Sequence, residues 1–374
     1  MRKLVVISHT EHQINRNGEI VGWGPTINEL NHLVGQWEEI VHIACLESKL
    51  PTGSSIAYNS SIRFVPIPTF GGRNILNKID ILWKTPQILY RMNKELRNAT
   101  HVQVRLPMGI GPFVLLFFKL RKRDFLLWVK YANNWSAKNI PVTNKIQRTL
   151  LKKNFLNCKV TINGFWNKQP QHCYSFENPC LEKEDIEIGR LLIEEKKYNV
   201  RPVLIYVGGL HRAKGVDILV EFLKSVDSRL IEFFHVVGEG EMSVSLSEAL
   251  KENGVNYKVY GGLAQSELHK LLQLSHFIVL PSRSEGFPKV LAEAMCFGCI
   301  PICSEVGSIG HYVMKNRTGF IMEDITTEGL NNSFKESLSK NDLELRTMAK
   351  LGNETSALFT FDHYLNNLNK TIFN

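Results

Sequence analysis

Apolar positions along this chain fall into short blocks separated by turn residues, and the blocks alternate between two spacings. Leu4 to Ser8, Ile40 to Ala44, Ile62 to Ile67, His101 to Leu106, Phe125 to Tyr131 and Val160 to Asn163 are β-branched or alternating runs of strand length. Between them the spacing becomes helical: Ile27, Leu30, Leu33 and Trp37 after Gly24 and Pro25; Ile79, Leu82, Ile88, Leu89 and Met92 within 78–97; and the run from Ile110 to Lys122. The polar stretch NKQPQHCYSFENP then breaks all periodicity and reads as a connection.

Beyond it the alternation starts again. Strands are expected at Val203 to Val207, Phe233 to Val237, Tyr257 to Tyr260, Phe277 to Leu280 and Ile300 to Cys303. Helices are expected at Val216 to Ser225, Ser243 to Asn253, Glu267 to Leu274, from Pro288 to about Phe297 with Gly298 as cap, and finally Phe361 to Phe373. Such a succession predicts α/β architecture with parallel, doubly wound sheets, and 374 residues suit two domains. The boundaries read as 1–175 and 176–357, followed by a last helix in 358–374.

Charge divides unevenly between the halves. Residues 1–180 carry 24 Lys+Arg against 10 Asp+Glu, or +14, leaving 21 against 26, or −5, for the total of +9. The basic half is expected to meet something anionic. No nucleic-acid module accompanies it, so no nucleic-acid partner is expected. Lys119, Arg121, Lys122 and Arg123 follow an apolar FVLLFF run, which suits peripheral contact with an anionic membrane, or equally a solvated helix end. No run approaches the roughly 18 apolar residues of a membrane span, MRKLVVISHT reads as a strand, and seven scattered cysteines point to a reducing, cytoplasmic setting. Cys296 and Cys299 form an isolated C-x2-C with no second pair, which speaks against metal or redox use. His9, His12 and His101 lack metal spacing and read as surface or strand-end residues.

Candidate chemistry gathers at two strand ends. In FIVLPSRSEGFPKVLAEAMCFGCIPICSE a helix starts just past a strand, which aims the N–H groups of Lys289 and Val290 at a crevice suited to phosphate, with Glu285 before the helix and Glu293 inside it. Either acid also has a bland role, as partner of the helix dipole or of Lys289. Gly208 to Gly215, GGLHRAKG, is neither a Walker A loop nor G-x-G-x-x-G, yet its Arg212 and Lys214 suit a diphosphate.

The stretch E-G-F-P-K-V-L-A-E resembles the E-x7-E signature of retaining glycosyltransferases of family 4, glycosyl transferases group 1, and GGLHRAKG resembles their G-R-L-x-x-x-K-G segment. The arginine usual at the second position of that segment is Gly209 here, so Lys214 carries over directly and Arg212 stands in as a substitute. The resemblance implies the GT-B fold, two Rossmann-like domains facing across a cleft, with the last helix returning to the first domain. It implies transfer of a sugar from a nucleoside-diphosphate sugar to a hydroxyl of a glycan or lipid-linked acceptor, with retention. Glu285 and Gly286, with Phe287, Lys289 and Val290, would hold the sugar and phosphates, and Glu293 the ribose. Gly238, Leu263 and Gly24 fall at further donor positions. Many relatives carry a histidine where this chain has Arg105, which leaves Arg105, Asn133 and Asn134 as acceptor-side candidates, the asparagines being equally suited to a turn. With no D-x-D present, no metal or other cofactor is expected. The implied setting is bacterial surface polysaccharide assembly, including capsule or lipopolysaccharide, at the inner face of the cytoplasmic membrane. Two alternatives stay open: a nucleotide-sugar epimerase or hydrolase of the same architecture, and a non-catalytic nucleotide-sugar-binding protein.

Overall fold

The computed structural model describes residues 2–51, 55–70, 75–137, 140–166 and 168–373, and the side chains of 75–79, including Ile79, lie outside that description. The chain forms two units, residues 1–176 with 365–374, and residues 177–364.

In the first unit the strands are β1 (Lys3–Ile14), β2 (Ile20–Trp23), β3 (Glu39–Leu46), β4 (Ser55–Ala57), β5 (Ile62–Pro68), β6 (His101–Leu106), β7 (Leu126–Tyr131), β8 (Lys159–Asn163) and β9 (Cys173–Phe176). Its helices are α1 (Gly24–Asn31), α2 (Ile75–Glu95), α3 (Gly111–Leu120) and α4 (Val142–Lys152). Strands β5, β3, β1, β6, β7, β8 and β9 lie side by side in that order and all run parallel. Their central residues, Val5, Ile7, Val41, Val104 and Val129, are fully buried, as a sheet covered on both faces requires.

Three expectations change here. The polar loop after Ser8 is instead the continuation of β1 past a bulge, turning at Asn15 to Gly18 and pairing antiparallel with β2. The polar connection contains β9, an edge strand of four residues too short to show a period. Leu82, expected on the apolar side of its helix, is 59% exposed, whereas Ile88 and Met92 are buried.

In the second unit the strands are β10 (Val203–Val207), β11 (Phe233–Val237), β12 (Tyr257–Val259), β13 (Phe277–Leu280), β14 (Ile300–Ser304) and β15 (Phe320–Met322). They form one parallel sheet ordered β12-β11-β10-β13-β14-β15. The helices are α5 (Lys183–Glu195), α6 (Val216–Ser225), α7 (Ser243–Asn253), α8 (Gln265–Leu274), α9 (Lys289–Cys296), α10 (Ile309–Tyr312), α11 (Thr327–Leu338) and α12 (Asp342–Ser356), and α13 (Phe361–Leu368) starts in this unit and ends in the first. Strand order reverses between β10 and β13, so the ends of these two strands border the crevice where open α/β sheets take ligands.

The second unit extends past residue 357, because Phe359 stacks on Phe287 at 4.6 Å and Thr360 bridges to Leu181. Only the tail from Leu365 belongs to the first unit, where Phe373 packs edge-on against Trp37, His101 and Trp128, each at 5.3 Å.

Candidate active site

Two loops at the ends of β10 and β13 are locked together by backbone contacts that few residue types permit. Gly215 has φ +74°, and a Cβ there would stand 1.9 Å from the Pro281 carbonyl oxygen, so only glycine lets the two loops approach. The Arg283 N–H donates to the Ala213 carbonyl at 3.0 Å, and the Arg283 guanidinium forks Asp217 at 2.6 and 2.8 Å while reaching the Arg212 carbonyl at 2.7 Å. Burial would raise the Asp217 pKa, but the fork outweighs it and holds the carboxyl below its usual range. This clamp brings Lys214 Nζ to 2.6 Å from Glu285 Oε1. Arg212 extends from the same loop, 80% exposed, with Nε 3.5 Å from Asp217.

The opposite side of the β10 end is built by Gly238. It has φ +136° and its Cβ position lies 1.9 Å from the Gly208 carbonyl, so the β10 and β11 turns touch backbone to backbone. Tyr206 donates its hydroxyl to the Gly209 carbonyl at 3.0 Å, Glu239 accepts from the Gly262 N–H at 3.3 Å, and Leu263 follows, half-buried.

Helix α9 begins one residue later than expected, with Pro288 as N-cap and Lys289 first. Leu291, Ala292 and Met295 bury its inner face, each large side chain contributing about 2 kcal/mol of burial. Lys289 and Val290 stand in the first turn, and the Lys289 ammonium turns away to donate to the Pro179 carbonyl at 2.6 Å. Phe287 is not a ligand face: its ring is wedged between Phe359 and Tyr312, 4.6 and 4.8 Å away. The loop after β14 closes over this segment, with Ser308 donating twice to the Gly286 carbonyl, at 2.8 and 3.0 Å. Glu293 is buried at 7% exposure, its Oε1 taking a hydrogen bond from Gln265 Nε2 at 2.8 Å while Oε2 makes none among the described residues. His269 Nε2 lies 3.5 Å from the same Oε1 and His269 Nδ1 lies 3.8 Å from Asp185.

In the first unit a cleft of about 660 Å³ opens at the carboxyl ends of β1, β6 and β7. Ser8, Thr10, Gln13, Arg105, Asn133 and Asn144 supply polar lining. Arg105 is a buried residue in the wall of the cleft, its Nη2 on Glu29 and its Nε on Gln103, both at 2.7 Å. Asn134 is spent on a turn, accepting from the Ser136 N–H at 2.9 Å, and Asn133 accepts from the Asn134 N–H at 2.7 Å. Gly24 is the first residue of α1, between cleft-lining Trp23 and Thr26.

Residues 190–354 match the family of glycosyl transferases group 1. Over that stretch the chain is similar to the group 1 glycosyltransferases. An uncharacterised glycosyltransferase from Methanocaldococcus jannaschii is 26% identical over 71% of this chain and 67% of its own length. Among solved structures, sucrose-phosphate synthase from Thermosynechococcus elongatus superposes with TM-score 0.70 at 16% identity, covering 100% of this chain and 99% of its own. Anabaena HepE in complex with UDP-glucose superposes with TM-score 0.69 at 13% identity, covering 100% of both chains. At these identities the likeness shows the fold, which is GT-B.

The chain also contains polar groups that periodicity does not reveal. His12 and His42 are fully buried, against the expectation of an exposed or strand-end His12. Tyr58 Oη joins them, 2.7 Å from His12 Nε2 and 2.5 Å from His42 Nδ1. His12 Nδ1 faces the Cys45 carbonyl at 3.1 Å and His42 Nε2 faces Ser8 Oγ at 2.8 Å. A carbonyl only accepts, so His12 carries its proton on Nδ1 and accepts from Tyr58; Tyr58 then accepts from His42 Nδ1, and Ser8 donates to His42 Nε2. Burial holds the His12 pKa down at about 4, and burial, then His12 and Arg105, hold that of His42 well below its usual value. Gln265, His269, Asp217 and Arg283 were equally invisible as site residues, since only pairing with Glu293 and the two loops distinguishes them. Burial pushes the Cys299 thiol up to about 12 and that of Cys296 higher still, so both thiols are protonated at neutral pH.

Proposed function

We propose that this chain transfers a hexosyl or related group from a nucleoside-diphosphate sugar to an acceptor hydroxyl, with retention and without a metal. The observation that carries the reading is the Lys214–Glu285 pair at 2.6 Å beside the first turn of α9. A cation, a helix N-terminus and a carboxylate within one loop clamp suit a diphosphate and the sugar attached to it. HepE, with its bound UDP-glucose, supports a UDP-sugar as donor.

In the proposed step the acceptor oxygen attacks the anomeric carbon from the face that the phosphate leaves. The carbon–oxygen bond to the diphosphate breaks, and the acceptor proton passes to the departing phosphate oxygen. Lys214, Arg212 and the N–H groups of Lys289 and Val290 stabilise the charge gathering on that phosphate, and Glu285 positions the sugar. Glu293 holds the ribose through Oε2. The first unit's cleft takes the acceptor, with Asn133 and Arg105 in its wall.

The proposed setting is surface polysaccharide assembly on a lipid-linked or glycan acceptor at the inner face of a bacterial membrane. Among the described residues no helix is long and apolar enough to cross a membrane. Peripheral contact is supported by Leu120, 78% exposed within the basic run Lys119 and Arg121 to Arg123 at the end of α3, and by Trp83, 81% exposed on α2.

A thermal-shift screen of nucleoside-diphosphate sugars tests the reading, since a ligand at ~100 times its Kd stabilises by about 2.7 kcal/mol. The donor that binds is then followed with and without glycan acceptors in the presence of EDTA. Transfer to acceptor with slow donor hydrolysis is expected; rapid donor turnover without acceptor would make the enzyme an epimerase or hydrolase, and no turnover at all a binding protein.

A further inference from the structure

In the wall of the first unit's cleft Arg105 is anchored from behind. Glu29, buried at 2% exposure, gives Oε1 to Arg105 Nη2 at 2.7 Å and Oε2 to Lys130 Nζ at 2.6 Å, so Arg105 shares its carboxylate with a second buried cation. Among the described residues Glu11 is the only acid lining the cleft, and it lies against Glu47 and Lys49 rather than Arg105. His42, beside Arg105, is held neutral and adds no charge of either sign.

Arg105 itself is incompletely used. Its Nε is on Gln103 Oε1 and its Nη2 on Glu29, but Nη1 makes no hydrogen bond among the described residues and is not sealed from solvent. The Gln103 amide nitrogen, buried beside it, likewise lacks a partner among the described residues. A guanidinium held nine-tenths out of water with both Nη1 N–H groups unspent is stabilised most by an oxyanion, which answers both its charge and its donors. Ser8, Thr10, Gln13, Asn133 and Asn144 add uncharged polar groups to the lining, suited to hydroxyls.

We propose that the ligand of this cleft is a hydroxylated molecule carrying a carboxylate or a phosphate, which docks on Nη1 of Arg105. Resting on the glycosyltransferase reading, this makes the acceptor anionic close to the hydroxyl that is glycosylated. The guanidinium is already oriented by Gln103 and Glu29, so docking an anion there costs little side-chain entropy.

Three probes test the proposal by titration calorimetry at low and high salt: methyl glucuronide, glucose 6-phosphate and the neutral methyl glucoside. At least one charged probe is expected to bind about tenfold or more tightly than the neutral one, the gain of a charge-assisted hydrogen bond. Which one does so distinguishes carboxylate from phosphate. Arg105→Gln should reduce that preference to about twofold or less and Lys214→Ala should leave it intact. Equal binding of all three probes to the native protein overturns the proposal, whether or not Arg105→Gln folds. A preference that survives Arg105→Gln but disappears in Lys214→Ala also overturns it, by assigning the anion to the other loop pair. Thermal shift by UDP-glucose in the same samples reads the donor site separately, so a donor shift without anion preference sinks this inference alone.

Discussion

Lys214 Nζ and Glu285 Oε1 stand 2.6 Å apart although 71 residues separate them along the chain. Their side chains keep 35% and 11% exposure, so the pair is open enough to part when a diphosphate competes for the ammonium. An ion pair of this exposure is worth at most about 1 kcal/mol, which a doubly charged phosphate outbids. Lys214→Ala is therefore expected to slow turnover by about tenfold or more, or about 1.4 kcal/mol, without unfolding the protein. An unchanged kcat/KM would remove Lys214 from the reaction.

The two acids should separate in steady-state kinetics. Glu293 is proposed to hold a part of the donor that does not change during reaction, so Glu293→Gln should chiefly raise the donor KM. Glu285 is proposed to face the sugar, which gains positive charge as the phosphate leaves, so Glu285→Gln should lower kcat more than it raises KM. Circular dichroism confirms folding of both variants. Equal rises in KM alone would reduce Glu285 to a binding residue.

The buried chain Ser8, His42, Tyr58 and His12 makes stability depend on pH. Both histidines titrate near 6.5 when unfolded, whereas the folded pKa of His12 is about 4 and that of His42 is also well below its usual value. Below 6.5 the unfolded state binds more protons than the folded state, so stability falls as pH drops toward 4, by about 1.4 kcal/mol per pH unit for each histidine. Thermal melts between pH 7 and about 5 should show the decline. Long-range proton–nitrogen NMR should find both rings protonated on Nδ1, and Tyr58→Phe should cost about 1–3 kcal/mol by leaving a buried nitrogen on each ring without its partner. A His42 protonated on Nε2 would refute the ordering.

Membrane contact predicts a salt-dependent affinity. Vesicles containing anionic lipid should bind the native protein, and Trp83→Ser with Leu120→Ser should weaken that binding by about tenfold while leaving activity on a water-soluble acceptor intact. Equal binding to neutral and anionic vesicles would leave the basic cluster as a solvated helix end.

Much of the architecture was legible in the one-dimensional pattern. The second unit's strands at Val203–Val207, Phe233–Val237 and Phe277–Leu280 and helices at Val216–Ser225 and Ser243–Asn253 have the expected ends, because each is a fully apolar strand or a helix with a clear inner face, and both signals are local. The hairpin of β2 and the edge strand β9 were not legible, since four-residue strands held by their neighbours carry no period of their own.

By itself, then, the sequence determined the alternation of elements, the parallel sheets, and the glycine and acidic positions at strand ends, all of which follow from spacing between near neighbours. Tertiary structure alone decided which of those residues meet. Gly215 against Pro281 and Arg283 against Asp217 bring Lys214 to Glu285, and Glu29 holds Arg105 in the wall of a cleft while also pairing with Lys130. Hydrophobic period is a property of a dozen consecutive residues, whereas a hydrogen bond across 71 positions depends on how two crossovers return to one sheet.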